Sequence, residues 1–91
     1  MAEPRLLMRI QAGSACIPVP SEHALIGARG FFAREVQLPV GTSVMVRFCQ
    51  GRDEVCLPGI VRTNYAGLGL SVQFRESSAL AVQRLTVMLA A

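Results

Sequence analysis

Leu68-Gly69-Leu70-Ser71-Val72-Gln73-Phe74 decides the fold class. Leu68, Leu70, Val72 and Phe74 fall on one face, and Gly69, Ser71 and Gln73 on the other. Strict alternation with a period of two marks a strand with one buried face. Thr42 to Cys49 reads the same way, with Val44, Val46 and Phe48 inward and Ser43, Met45 and Arg47 outward. Gln50-Gly51-Arg52-Asp53-Glu54 is a polar turn. Val55 to Asn64 is then the return strand of a hairpin, with Val55, Leu57 and Val61 on one face. Pro58-Gly59 predicts a bulge or bend in that strand, because proline cannot donate to the ladder and glycine loosens it.

Upstream, Gly30-Phe31-Phe32-Ala33 begins another strand, which ends before the turn segment Leu38-Pro39-Val40-Gly41. Leu6 to Gln11, Ala15 to Val19 and Ala24 to Gly27 supply further short strands, the second confined to an edge by Pro18 and Pro20. Downstream the period changes. Ser77 or Ser78 caps a helix, and Ala81, Val82, Leu85, Met88 and Leu89 form one apolar stripe at helical spacing. Leu80 and Val87 sit on a separate side. Five or six short antiparallel strands followed by one helix predict an all-β chain, a small barrel with a C-terminal α-helix plugging or flanking it. Closing the barrel removes its sticky edges.

With 91 residues there is room for one domain, residues 1–91. The chain is 52% hydrophobic and only 16% charged, which excludes a disordered tail. No apolar run reaches the roughly 18 residues of a membrane span. Nothing resembles an export signal, so the expected compartment is the cytoplasm and the expected thiols are reduced. Met1 and a helix running to Ala91 suggest a stand-alone chain.

All nine basic residues are arginine, spread from Arg5 to Arg84, for a net charge of +3. Nucleic-acid binders cluster their basic residues, so a large polyanion is not nominated and a small anionic ligand remains open. Cys16, Cys49 and Cys56 show no Cys-x-x-Cys spacing, and with His23 as the single histidine no zinc set can be written. No metal or resident cofactor is expected. Cys49 and Cys56 either pair across the hairpin or serve as small half-buried hydrophobes.

The ordered series Gly30-Phe31-Phe32-Ala33, Leu38-Pro39-Val40-Gly41-Thr42, Val44-Met45-Val46-Arg47-Phe48, Gly59-Ile60-Val61-Arg62 and Gly67-Leu68-Gly69-Leu70-Ser71-Val72-Gln73-Phe74 resembles the PilZ domain, over about residues 24 to 90. The resemblance implies a six-stranded antiparallel barrel from a bacterial family that binds the signalling dinucleotide cyclic di-GMP. The family motif joins Arg-x-x-x-Arg to (Asp/Asn)-x-(Ser/Ala)-x-x-Gly. Two guanidinium forks clamp phosphates and guanine edges. The acid or amide reads a guanine, and the glycine permits a tight turn.

Arg5-Leu6-Leu7-Met8-Arg9 satisfies the first spacing. The second motif falls on Leu25-Ile26-Gly27-Ala28-Arg29-Gly30, where Gly30 matches. Leu25 stands in place of Asp or Asn, and Gly27 in place of Ser or Ala. A leucine cannot accept from a guanine, and an unpaired buried donor costs about 1–3 kcal/mol. Two such losses weaken binding by about two to three orders of magnitude, which Arg29 partly offsets if it reaches a phosphate.

The expectation is therefore a degenerate PilZ-like domain acting as a protein–protein adaptor in bacterial motility, type IV pilus or chemosensory regulation. Its interface candidates are Phe31, Phe32, Leu80 and Val87. The alternative is a true cyclic di-GMP receptor using Arg5, Arg9, Arg29, Gly27 and Gly30. A third reading is a small barrel for single-stranded nucleic acid, although its aromatic residues point mostly inward. A homodimer through Leu80, Val87 and one exposed Phe is a further possibility. An enzyme is not expected: His23 has no motif neighbours, and Asp53 and Glu54 form a solvated turn tip.

Overall fold

The structure is a computed structural model that describes residues 6–27, 29–75, 83–85 and 87. Seven strands form one antiparallel sheet: β1 (Leu6–Ala12), β2 (Ala15–Val19), β3 (Ala24–Ile26), β4 (Gly30–Arg34), β5 (Ser43–Gln50), β6 (Asp53–Tyr65) and β7 (Gly69–Phe74). Their order is β2-β1-β5-β6-β7-β4-β3, and the sheet curls into a half-barrel. Residues 83–85 and 87 are helical. The expected cap at Ser77 or Ser78 lies outside the described residues.

The all-β, barrel-like architecture with one helix matches the expectation. The strand count and the closure differ. The described residues form seven strands rather than six, and among them β2 and β3 are the edges of the sheet. Both edges are short, which limits how much unpaired backbone they present. Pro18 sits on edge strand β2, as its missing N–H requires.

The strand periods place the core on the concave face. Met8, Phe48 and Val55 form one inward row across β1, β5 and β6; Ile10, Val46 and Leu57 form the next. Val61, Val72 and Phe31 continue the inward face across β6, β7 and β4. Three phenylalanines meet at its centre. Phe31 and Phe74 stack with centroids 6.0 Å apart, and Phe48 meets them edge-on at 6.2 and 6.3 Å, the offset and T-shaped geometries that ring quadrupoles favour. Leu85 from the helix is buried in the same cluster, so the helix flanks the core.

Two local expectations are corrected. The irregularity of β6 lies at Arg62, between the pairs Val61–Val72 and Thr63–Ser71, not at Pro58-Gly59. Pro58 is tolerated because β7 ends opposite Gly59. Its carbonyl accepts the Arg75 N–H at 2.9 Å, and no strand on that side needs its missing donor. Leu68 is not a core residue. It stands in the turn before β7 and is 53% exposed, because the strand starts one residue later, at Gly69.

Candidate functional site

Of the described residues expected at a dinucleotide site, Gly27, Arg29 and Gly30 lie together and Arg9 lies apart from them. Arg5 lies outside the described residues. Arg9 is exposed on the outer, convex face of β1, between Pro18 on β2 and Arg47 on β5. Gly27 and Gly30 close the β3–β4 hairpin, with the Gly27 N–H donating to the Gly30 carbonyl at 2.9 Å. Four strand-to-strand steps, from β1 through β5, β6 and β7 to β4, separate Arg9 from Gly30. Outward side chains on a curled sheet diverge, so the curl does not bring Arg9 toward the hairpin.

Gly30 has a packing reason of its own. A Cβ there would run into the backbone carbonyl of Val72 on β7, so only glycine lets the two strands approach at that point. Arg29 is exposed, and its carbonyl accepts the Phe74 N–H at 2.8 Å. Leu25 does not fill the turn. It points outward and is 74% exposed.

Leu25 belongs to an outward row that crosses four strands: Thr63 on β6, Ser71 on β7, Phe32 on β4 and Leu25 on β3. Phe32 also packs on Tyr65, with ring centroids 6.0 Å apart. Leu25, Phe32 and Tyr65 thus make a continuous apolar patch on the convex face. Of the two candidate phenylalanines, Phe31 is excluded from any interface, because it is 4% exposed in the core. Val87 is exposed on the helix, and Leu80 lies outside the described residues.

A second cluster regroups residues that the sequence reading kept apart: Glu54, expected at a turn tip, lies in β6 opposite Cys49, and Cys49 and Cys56 do not face each other. On the convex face Arg9 stands opposite Arg47, and Arg47 opposite Cys56; Leu7, Cys49 and Glu54 form the adjacent row. The Glu54 carboxylate accepts from the Cys56 thiol at 3.3 Å and from the Cys49 thiol at 3.5 Å. Those two hydrogen bonds, Cys56 first, hold Glu54 below its ordinary 4.5, and Arg47 and Arg9 act in the same direction. Burial, followed by the bond to Glu54 and its charge, pushes both thiols above their ordinary 9.0. Both cysteines are free thiols. Arg84 of the helix donates to the Glu54 carbonyl at 3.2 Å. The pattern that places Arg47 outward was visible in the alternation of β5. The approach of Arg84 was not.

An open groove of about 440 Å³ lies next to this cluster, floored by Met45 and Pro58, with Arg47 and Arg75 among its walls. The Arg75 guanidinium donates to the Ser43 hydroxyl at 3.3 Å. Elsewhere His23 Nδ1 lies 3.5 Å from a Glu35 carboxylate oxygen. No group of three or more His, Cys, Asp or Glu side chains among the described residues is placed to hold a metal ion. No helix among them is long and apolar enough to cross a membrane.

Comparison of the chain with family models, with curated proteins and with solved structures finds no match.

Proposed function

We propose that this chain is a degenerate PilZ-like domain of the bacterial cytoplasm, acting as a protein–protein adaptor in motility, pilus or chemosensory regulation, with cyclic di-GMP binding weak or lost. The family assignment rests on the ordered sequence motifs. The observation that carries the adaptor reading is the convex-face patch of Leu25, Phe32 and Tyr65. At the motif position where a dinucleotide receptor needs an acid or amide, this chain puts a leucine into an apolar surface. Clustered apolar side chains on a convex surface favour a protein partner over water.

Isothermal titration with cyclic di-GMP tests the ligand half of the reading. The expected result is no saturable binding in the micromolar range. Micromolar binding lost in Arg5→Ala or Arg9→Ala would establish the receptor reading instead. A photo-crosslinking residue at Leu25 or at Tyr65, expressed in a bacterial cytoplasm, tests the adaptor half. Discrete protein adducts are expected from both positions and none from an exposed control at Gln73 (no adducts at either position refutes the adaptor reading).

A further inference from the structure

The groove over Met45 and Pro58 has an unusual charge arrangement. Ser43, Met45 and Arg47 project from the same outward face of β5. Arg75 is tied to the Ser43 end by its guanidinium–hydroxyl bond. Arg47 stands at the other end, backed by Arg9 directly opposite on β1. Ser43, which holds the Arg75 guanidinium, and Arg47 are four strand residues apart, about 13 Å along the backbone at the rise of a β-strand. The floor between them is formed by uncharged side chains, and Gln11 on β1 lines one wall.

We propose that this groove binds an extended acidic segment of a protein partner, with two carboxylates four residues apart, one on Arg47 and Arg9 and the other on Arg75. Three features select that occupant. The separation of Ser43 and Arg47 exceeds the span of a single phosphate but equals four residues of extended chain. Among the described residues the lining holds no aromatic side chain, so they offer no stacking platform of the kind single-stranded nucleic acid needs. Guanidinium forks match carboxylates in bidentate geometry, and the Gln11 amide offers both a donor and an acceptor to a peptide backbone. Directly opposed arginines also cost the sheet some stability, and an acidic partner removes that cost on binding. The inference stands on the groove alone and holds whether or not the PilZ-like assignment does.

The test is a fluorescence-anisotropy titration of the full chain with a labelled ten-residue Ser/Thr-rich peptide carrying two glutamates four residues apart. Comparison probes carry adjacent glutamates, or glutamines at both positions; oligothymidylate and inorganic phosphate serve as competitors. The four-spaced peptide is expected to bind saturably, and the other two peptides about fivefold to tenfold more weakly. Arg47→Ala and Arg75→Ala should each weaken the four-spaced peptide by a similar factor while the chain stays folded at the assay temperature, as circular dichroism reads. Leu25→Ser should leave its affinity unchanged, which separates the groove from the apolar patch. Absence of binding, indifference to glutamate spacing, or displacement by oligothymidylate or phosphate at concentrations that match the peptide's own affinity would overturn the proposal.

Discussion

Arg9 and Arg47 face each other directly across β1 and β5 on the convex face of the sheet. Like charges in register are destabilising by a few tenths of a kcal/mol to about 1 kcal/mol. Glu54, one row away, feels both, with Arg47 the stronger influence. Removing Arg9 therefore relieves the repulsion while sacrificing the smaller share of the attraction. Arg9→Gln is expected to raise stability by about 0.5 kcal/mol at low salt. The gain should fade in high salt, where exposed charges are screened. Urea midpoints at two ionic strengths read the effect, and a salt-independent change would point to packing of the arginine stem.

Two glycines of the same sequence motif should separate cleanly. An alanine Cβ at Gly30 would enter the Val72 carbonyl, a backbone atom that cannot rotate away. At Gly27 the nearest atom to such a Cβ is the Gly30 carbonyl oxygen, at an ordinary 3.6 Å. Gly30→Ala is expected to cost about 1–3 kcal/mol through overpacking. Gly27→Ala should stay within about 0.5 kcal/mol of the parent. Thermal or chemical denaturation measures both. Equal, small effects would mean that β4 and β7 can spread apart at no cost.

The Glu54 carboxylate holds two thiols in their protonated form. Its removal lowers both thiol pKa values, since the bond to Glu54 and its charge each raise them. More thiolate at pH 8 means faster attack on an alkylating reagent or an aromatic disulfide. Glu54→Gln should accordingly accelerate modification of Cys49 and Cys56 and leave Cys16 unchanged, as read by mass spectrometry of timed samples. The same groups set a pH profile. Glu54 is held below 4.5 in the folded chain, so its contribution is present above that value and is lost as pH falls through the folded value. The thiols are raised above 9.0, so theirs is present below that value and is lost as pH rises through their folded values. The stability these three groups supply is expected to be flat between those limits.

Alternation alone carried much of this fold into view. Val44, Val46 and Phe48 against Ser43, Met45 and Arg47 gave the two faces of β5, because a strand with one wet face must alternate. Pro18 pointed to an edge for the same kind of local reason. Leu68 misled, since it continues the alternation of β7 by one residue into a turn, and a periodic pattern does not mark where pairing stops. The bulge at Arg62 carried no glycine or proline signal. The groove was hidden for a different reason. Arg75 follows the end of β7, whereas Ser43 and Arg47 lie on β5; their proximity depends on sheet order, a long-range property that no local period encodes.

Phe31 and Phe32 illustrate the remaining ambiguity and provide a sharp check on it. The pair is adjacent in sequence and has identical composition, so only the register of β4 on β7 decides which ring goes inward. Phe31 opposes Val72 on the core face, and Phe32 opposes Ser71 on the convex face. Truncating Phe31 removes a ring that packs on both Phe48 and Phe74, so Phe31→Ala is expected to cost about 3–5 kcal/mol. Phe32 is only half-buried and packs against Tyr65. Phe32→Ala should cost about 1 kcal/mol, the scale of a partly exposed aromatic pair. Guanidinium denaturation of the two variants distinguishes them. A reversal of the order would require β4 to slip by one residue, which would turn Ala33 outward and carry Phe32 into the core.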